Sequence, residues 1–131
     1  MIPCNYLEPE DAMYIAGFFD GEGCISLSGN ALSVTLTQKA RNRHILDWVQ
    51  ETTGVGSLLV HKASGCVNWR ICSQQAVQFL EQIYPYLKIK DEQAKLALEF
   101  QSRITGRGSK APIEWKQPYV DRMRFLNRKG A

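Results

Sequence analysis

Little in this sequence points toward a secreted, membrane-embedded or metal-stapled protein. No apolar run approaches the roughly 18–20 residues that a bilayer-spanning helix needs. The four cysteines, Cys4, Cys24, Cys66 and Cys72, are scattered without a CxxC pair, so neither a disulfide framework nor a zinc knuckle is expected. The only histidines, His44 and His61, lack a second ligand at zinc-motif spacing. The first 23 residues hold no basic side chain, unlike a secretory signal or an arginine-rich transit peptide. An intracellular protein, cytoplasmic or organellar and not secreted, is the expectation.

What is present fits one globular unit. At 131 residues, 44% of them hydrophobic and 22% charged, the chain suits one domain with one core. Its net charge of +3 is unevenly spread. Residues 1–23 carry Glu8, Glu10, Asp11, Asp20 and Glu22, whereas residues 103–131 carry eight bases against Glu114 and Asp121. A basic tail behind an acidic start hints at nucleic acid, because Lys and Arg neutralise phosphates. A solvated tail reads the same way.

Pattern along the chain yields alternating helices and hairpins. Glu8-Pro9-Glu10-Asp11 predicts a helix start, with proline and acids in the first turn, and Gly21 and Gly23 suit its stop. Cys24–Ser28 and a strand carrying Leu32, Val34 and Leu36 form a hairpin around Gly29-Asn30. A helix through Ile45, Leu46, Trp48 and Val49 closes at Gly54. A second hairpin pairs residues 55–61 with 66–72 through Ala63-Ser64-Gly65. Ser73 is placed to cap a helix with Val77, Leu80 and Ile83 buried, ending at Pro85. The next helix starts near Asp91 and buries Ala94 and Leu98, with Leu96 or Ile104. Thr105–Pro112 reads as a linker, and a short basic helix follows Pro118. The expected class is α+β: one four-stranded antiparallel sheet with helices on its apolar face. Residues 1–104 form the domain, and the basic extension 105–131 packs on it.

The other sheet face then carries Ser26, Ser28, Ser33, Thr35, Thr37, His61, Asn68 and Arg70. Wet sheet faces are common. This one holds no acid, which suits a phosphate-rich partner, and β-ribbons fit a DNA major groove.

The most informative stretch is Ile15-Ala16-Gly17-Phe18-Phe19-Asp20-Gly21-Glu22-Gly23. Gly17 costs a helix about 1 kcal/mol against alanine, so it needs a reason. With Met13 and Gly21 it forms a small-residue face that admits another helix backbone. Only one such segment exists, so a matching helix must come from a second copy. Asp20 and Glu22 lie at the negative end of the helix dipole, where acids are disfavoured unless a cation arrives.

Residues 15–23 resemble the signature of the LAGLIDADG homing endonucleases, position by position. The similarity continues through Leu36-Thr37-Gln38-Lys39, Leu46-Asp47, Gly54-Val55-Gly56, Pro85-Tyr86-Leu87-Lys88-Ile89-Lys90 and Gln93-Ala94, spanning about Tyr14 to Leu98 and matching the single-motif homodimeric branch. The resemblance implies a saddle-shaped αββαββα subunit and a homodimer with Met13, Gly17, Asp20 and Gly21 at its interface. It also implies double-stranded DNA as partner, with no membrane and no small-molecule substrate. Glu22, with the Gly21 carbonyl, would bind Mg²⁺ (or Mn²⁺). Gln38 would order solvent near the attacking water, and Lys90 would stabilise developing negative charge. Asp20 would support the helix end. The implied activity is site-specific, metal-dependent double-strand cleavage; the alternative is a non-cleaving DNA- or intron-RNA-binding protein, a maturase or regulator.

The sequence also departs from that pattern. Glu22 replaces the more usual Asp. The pocket arginine expected in this branch falls at Asn42, leaving Arg41 or Arg43 to substitute. The first hairpin is short, with only Gly29 to Ala31 between its strands, so outward base contacts are fewer. Phosphate contacts from Arg103, Arg107, Lys110, Arg122, Arg124 and Arg128 are one compensation.

Overall fold

Proline in the first turn and a glycine beyond the last fix the ends of α1, Pro9–Glu22. Its side chains are apolar nearly all the way round, and Ala12, Ile15, Ala16 and Phe19 are the buried ones. Gly21 lies inside the helix rather than past its end; the stop falls at Gly23, in extended backbone, whose N–H reaches the Phe19 carbonyl. A side chain at Gly23 would collide with the Phe19 ring. Phe19 can therefore lie over the exit of its own helix.

The structure, a computed structural model, describes residues 2–28, 31–104 and 113–128. After α1 come β1 (Gly23–Leu27), β2 (Leu32–Lys39), α2 (Arg43–Thr53), β3 (Ser57–His61), β4 (Cys66–Cys72), α3 (Ser73–Ile83), α4 (Asp91–Arg103) and α5 (Ile113–Arg128). The strands form one antiparallel sheet in the order β1-β2-β4-β3. The expected α+β architecture is the observed one. The turn residues Gly29 and Asn30 and the linker Thr105–Pro112 lie outside the described residues; Ser28 N–H donates to the Ala31 carbonyl at 3.0 Å on either side of that turn.

Period-two alternation sorts the sheet. Ile25, Leu27, Leu32, Val34, Leu36, Val67, Trp69 and Ile71 are buried beneath the helices. Trp69 is the largest fully buried side chain; its indole N–H donates to the Val55 carbonyl at 3.0 Å. Gly56, at φ 103°, runs so close to that indole that a Cβ would overlap it. This detour is why β3 starts at Ser57 and not at Val55.

Four expectations need correction. Ser73 caps nothing: it opens α3 at φ 52°, and the cap position is Cys72, which makes no side-chain bond to the helix. The buried stripe of α3 is Ala76, Phe79, Leu80 and Ile83, with Val77 only half-buried. The stripe of α4 is Gln93, Ala94, Ala97, Phe100 and Gln101, leaving Leu96, Leu98 and Ile104 half-buried. Finally, α5 starts before Pro118, not after it. A proline in the second turn removes one backbone donor, while Val120, Met123 and Leu126 bury a stripe at helical spacing. The helix packs against β1 and α4, and Asn127 Nδ2 donates to the Ile25 carbonyl at 3.0 Å, covering the free edge of β1.

Candidate active site

The C-terminal end of α1 gathers the polar groups. Its last backbone bond, Gly23 N–H to Phe19, leaves the Asp20, Gly21 and Glu22 carbonyls without helical donors. Lys90 supplies one of them: its Nζ donates to the Asp20 carbonyl at 2.8 Å. The Lys90 side chain is almost fully buried there, held by the carbonyl of a residue two positions before Glu22.

The Asp20 carboxylate faces its own chain. It accepts backbone N–H bonds from Lys88 (2.8 Å), Ile89 (3.2 Å) and Lys90 (2.9 Å). These clamp the segment that leads into α4. The resemblance implied support of the helix end but did not name its partner, because nothing local links residue 20 to residue 88.

Glu22 is exposed and takes no part in an ion pair among the described residues; the two pairs there are Arg43–Asp47 and Arg122–Glu92. An unneutralised carboxylate beside open carbonyls at a negative helix end is a donor set for a hard, oxygen-preferring cation. No group of three or more His, Cys, Asp or Glu side chains converges among the described residues. Glu22 and main-chain oxygen are what one subunit could offer such a cation; further ligands would have to come from water, substrate or a second copy.

Gln38 lies two residues past the Gly23–Leu36 pair, on the end of β2 that adjoins α1's exit. Its Oε1 accepts from Asn42 Nδ2 at 3.3 Å. Asn42, where the arginine was expected, is thus half-buried and tied to Gln38. Of the two neighbours, Arg43 pairs with Asp47 at 3.3 Å, and Arg41 is exposed with no side-chain bond among the described residues.

The outer face of α1 is bare. Among the described residues, a Cβ at Gly17 or Gly21 meets nothing within 4 Å outside the helix's own backbone, so packing there does not account for either glycine. Met13 (52% exposed) and Tyr14 (58%) flank them. Tyr14 escaped the sequence reading; it packs edge-on to Trp48 of α2, ring centres 5.6 Å apart. An all-round apolar helix gives no periodicity from which to choose the outward side.

Across the sheet, the face opposite the helices bears the predicted residues. Ser26 stands beside Ser33, and Thr35 beside Arg70. Thr37 Oγ1 donates to Asn68 Oδ1 at 2.8 Å, and Asn68 Nδ2 donates to His61 Nε2 at 2.9 Å, a chain across three strands. Arg70 is exposed, and Ser28 bonds to Ala31 near the hairpin tip. No acid occupies this face; Leu59, half-exposed on it, was missed because β3 alternates weakly.

A family model described as LAGLIDADG endonuclease matches residues 15–102. The chain belongs to the LAGLIDADG endonuclease family. Among members of that family, it is 30% identical to DNA endonuclease I-CreI of Chlamydomonas reinhardtii, across 90% of this chain and 79% of that protein. It is 27% identical to DNA endonuclease I-CvuI of Chlorella vulgaris, across 79% and 71%. A crystal structure of I-CvuI in complex with its target shares the fold at a TM-score of 0.79, with 23% identity, across 90% of this chain and 82% of that one. The family match runs from the middle of α1 to the last turn of α4 and stops short of α5.

Proposed function

We propose that this chain is a site-specific double-strand DNA endonuclease that works as a homodimer with Mg²⁺ or Mn²⁺. The observation that carries the reading is the exposed, unpaired Glu22 at the end of a helix whose outer face is glycine-lined and unpacked. A second copy packed by that face, through Met13, Gly17 and Gly21, brings two Glu22 carboxylates to one twofold axis. Their mutual repulsion requires a cation. Glu22 and the Gly21 carbonyl would hold it. When bound, such an ion neutralises charge at a phosphate oxygen and makes water a better nucleophile at neutral pH.

The chain's own residues do the rest. Lys90, held by the Asp20 carbonyl, keeps a fixed positive charge beside the site, where phosphodiester hydrolysis concentrates negative charge. Gln38, steadied by Asn42, offers its amide N–H₂ to solvent near the attacking water. Ser26, Ser28, Ser33, Thr35, Thr37, His61, Asn68 and Arg70 meet the major groove, with Arg41 or Arg43 closer to the scissile strand. Solved relatives supply support: I-CvuI has been crystallised in complex with DNA targets. Such an enzyme works where DNA is, in the cytoplasm or an organelle.

The test compares the purified protein with Glu22→Gln on a supercoiled plasmid library with Mg²⁺. The parent cuts, and Glu22→Gln loses at least about a hundredfold in rate while still binding DNA. A parent that binds but never cuts is a binding protein of the maturase or regulator kind. Equal cutting by both proteins removes Glu22 from the site.

A further inference from the structure

We infer that Arg124 and Arg128 of α5 form a phosphate-binding patch along the free edge of β1, widening the DNA contact beyond the short first hairpin. This rests on the DNA reading above and adds a second surface to it. Of the basic residues in the C-terminal third, the structure disqualifies several. Arg103 stacks on Trp115 at 4.6 Å and donates to the Tyr119 hydroxyl at 3.3 Å. Arg122 is paired with Glu92 at 2.7 Å. Lys116 is buried. Arg107 and Lys110 lie outside the described residues. Arg124 and Arg128 are exposed and have no hydrogen bond or ion pair among the described residues.

Helical geometry tells which way they face. Successive residues turn by about 100°, so the order around α5, starting from Arg122, is Leu126, Met123, Asn127, Arg124 and Arg128. Arg122 marks the side against α4, in the helix layer. Asn127 marks the edge of β1, through its bond to the Ile25 carbonyl. Continuing past the edge, the next side chains are the two arginines, on the flank turned away from the helix layer, as is the acid-free face. They border an open hollow of about 540 Å³ together with Asp121 and Asn127. Asp121 is the acid of this patch, and its Oδ1 is already accepting from Gln117 at 2.9 Å.

Phosphates run past the end of any groove-bound sheet, and cations at its edge gain affinity without reading sequence. That contact compensates for a hairpin with few residues to reach outward bases.

The experiment measures binding of a fluorescein-labelled duplex of arbitrary sequence, without divalent metal, over a range of salt. Each lost phosphate contact makes the slope of log K against log[salt] shallower by about 0.9. The double variant Arg124→Gln/Arg128→Gln is expected to lose two such contacts per subunit, making the slope shallower by about 1.8 for each subunit. Arg124→Lys/Arg128→Lys keeps the parent slope, as does the control Arg103→Gln/Arg122→Gln. Asp121→Asn binds more tightly. A parent-like slope for the Gln double variant, with native circular dichroism, overturns the patch and leaves the DNA reading intact. If that variant does not fold, unchanged affinity of Asp121→Asn overturns it instead. A parent protein that binds no duplex even at low salt overturns both.

Discussion

At Asp20, carboxylate and carbonyl of one residue both bind the segment 88–90, so a single position joins the end of α1 to the start of α4. Asp20→Asn keeps the shape but offers one uncharged acceptor oxygen to three donors. Charge-assisted hydrogen bonds are worth more than neutral ones, and this group is half-exposed. A loss of roughly 1–2 kcal/mol is expected in urea unfolding, with slower cleavage because Lys90 is less well held. Unchanged stability would show that the clamp is ornamental. Cys4 offers a second check. Partial burial pushes its thiol up from 9.0 to about 11. Because the folded state holds the proton longer than the unfolded one, this contribution to stability is intact below pH 9.0 and lost as pH rises toward 11. Maleimide at about pH 8 should label the exposed Cys24 and Cys72 well before Cys4, as peptide mass spectrometry can show.

Among the elements, the α2-to-β3 connection depends most on one backbone shape. Gly54 closes α2 at φ 72°, and Gly56, at φ 103°, passes over Trp69. Gly56→Ala meets both a backbone disfavoured for L-residues and the indole that donates to Val55. Its cost should be at least about 2 kcal/mol in thermal or urea unfolding. Gly65→Ala is the comparison: its φ is also positive, but a Cβ there meets nothing within 4 Å, so it should cost only the left-handed penalty of roughly 1–2 kcal/mol and less than Gly56→Ala. Equal effects of the two would mean that the indole contact adds nothing. The elements were legible to different degrees. Strand faces followed from alternation, since each neighbour switches side. The faces of α3 and α4 were displaced, because Phe79 and Phe100 are buried in place of Val77 and Leu98, and several apolar stripes on those helices fit equally well.

For the whole molecule, the decisive question is whether the bare face of α1 meets a copy of itself. Gly17 has open space in the single chain, so Gly17→Leu should fold as well as the parent, or slightly better, given glycine's helix penalty of about 1 kcal/mol. In sedimentation or light scattering it should run as a monomer, where the parent runs as a dimer, and DNA cleavage should vanish with the dimer. The parent's melting temperature should also rise with protein concentration, as it does for linked association. A Gly17→Leu variant that stays dimeric and active would remove α1 from the interface.

The sequence by itself determined the class of fold, the sheet's acid-free face and the identity of the acid at the end of α1. Each of these follows from local pattern: period-two alternation, residue type along strands, and position relative to a helix end. Tertiary structure alone decided that Asp20 serves Lys88–Lys90, that Asn42 steadies Gln38, that Tyr14 lies on the outer side of α1, and which arginines of α5 remain free. These depend on contacts between residues far apart in the chain or on the choice of one helix face among several equivalent ones. Packing makes that choice, and local composition does not encode it.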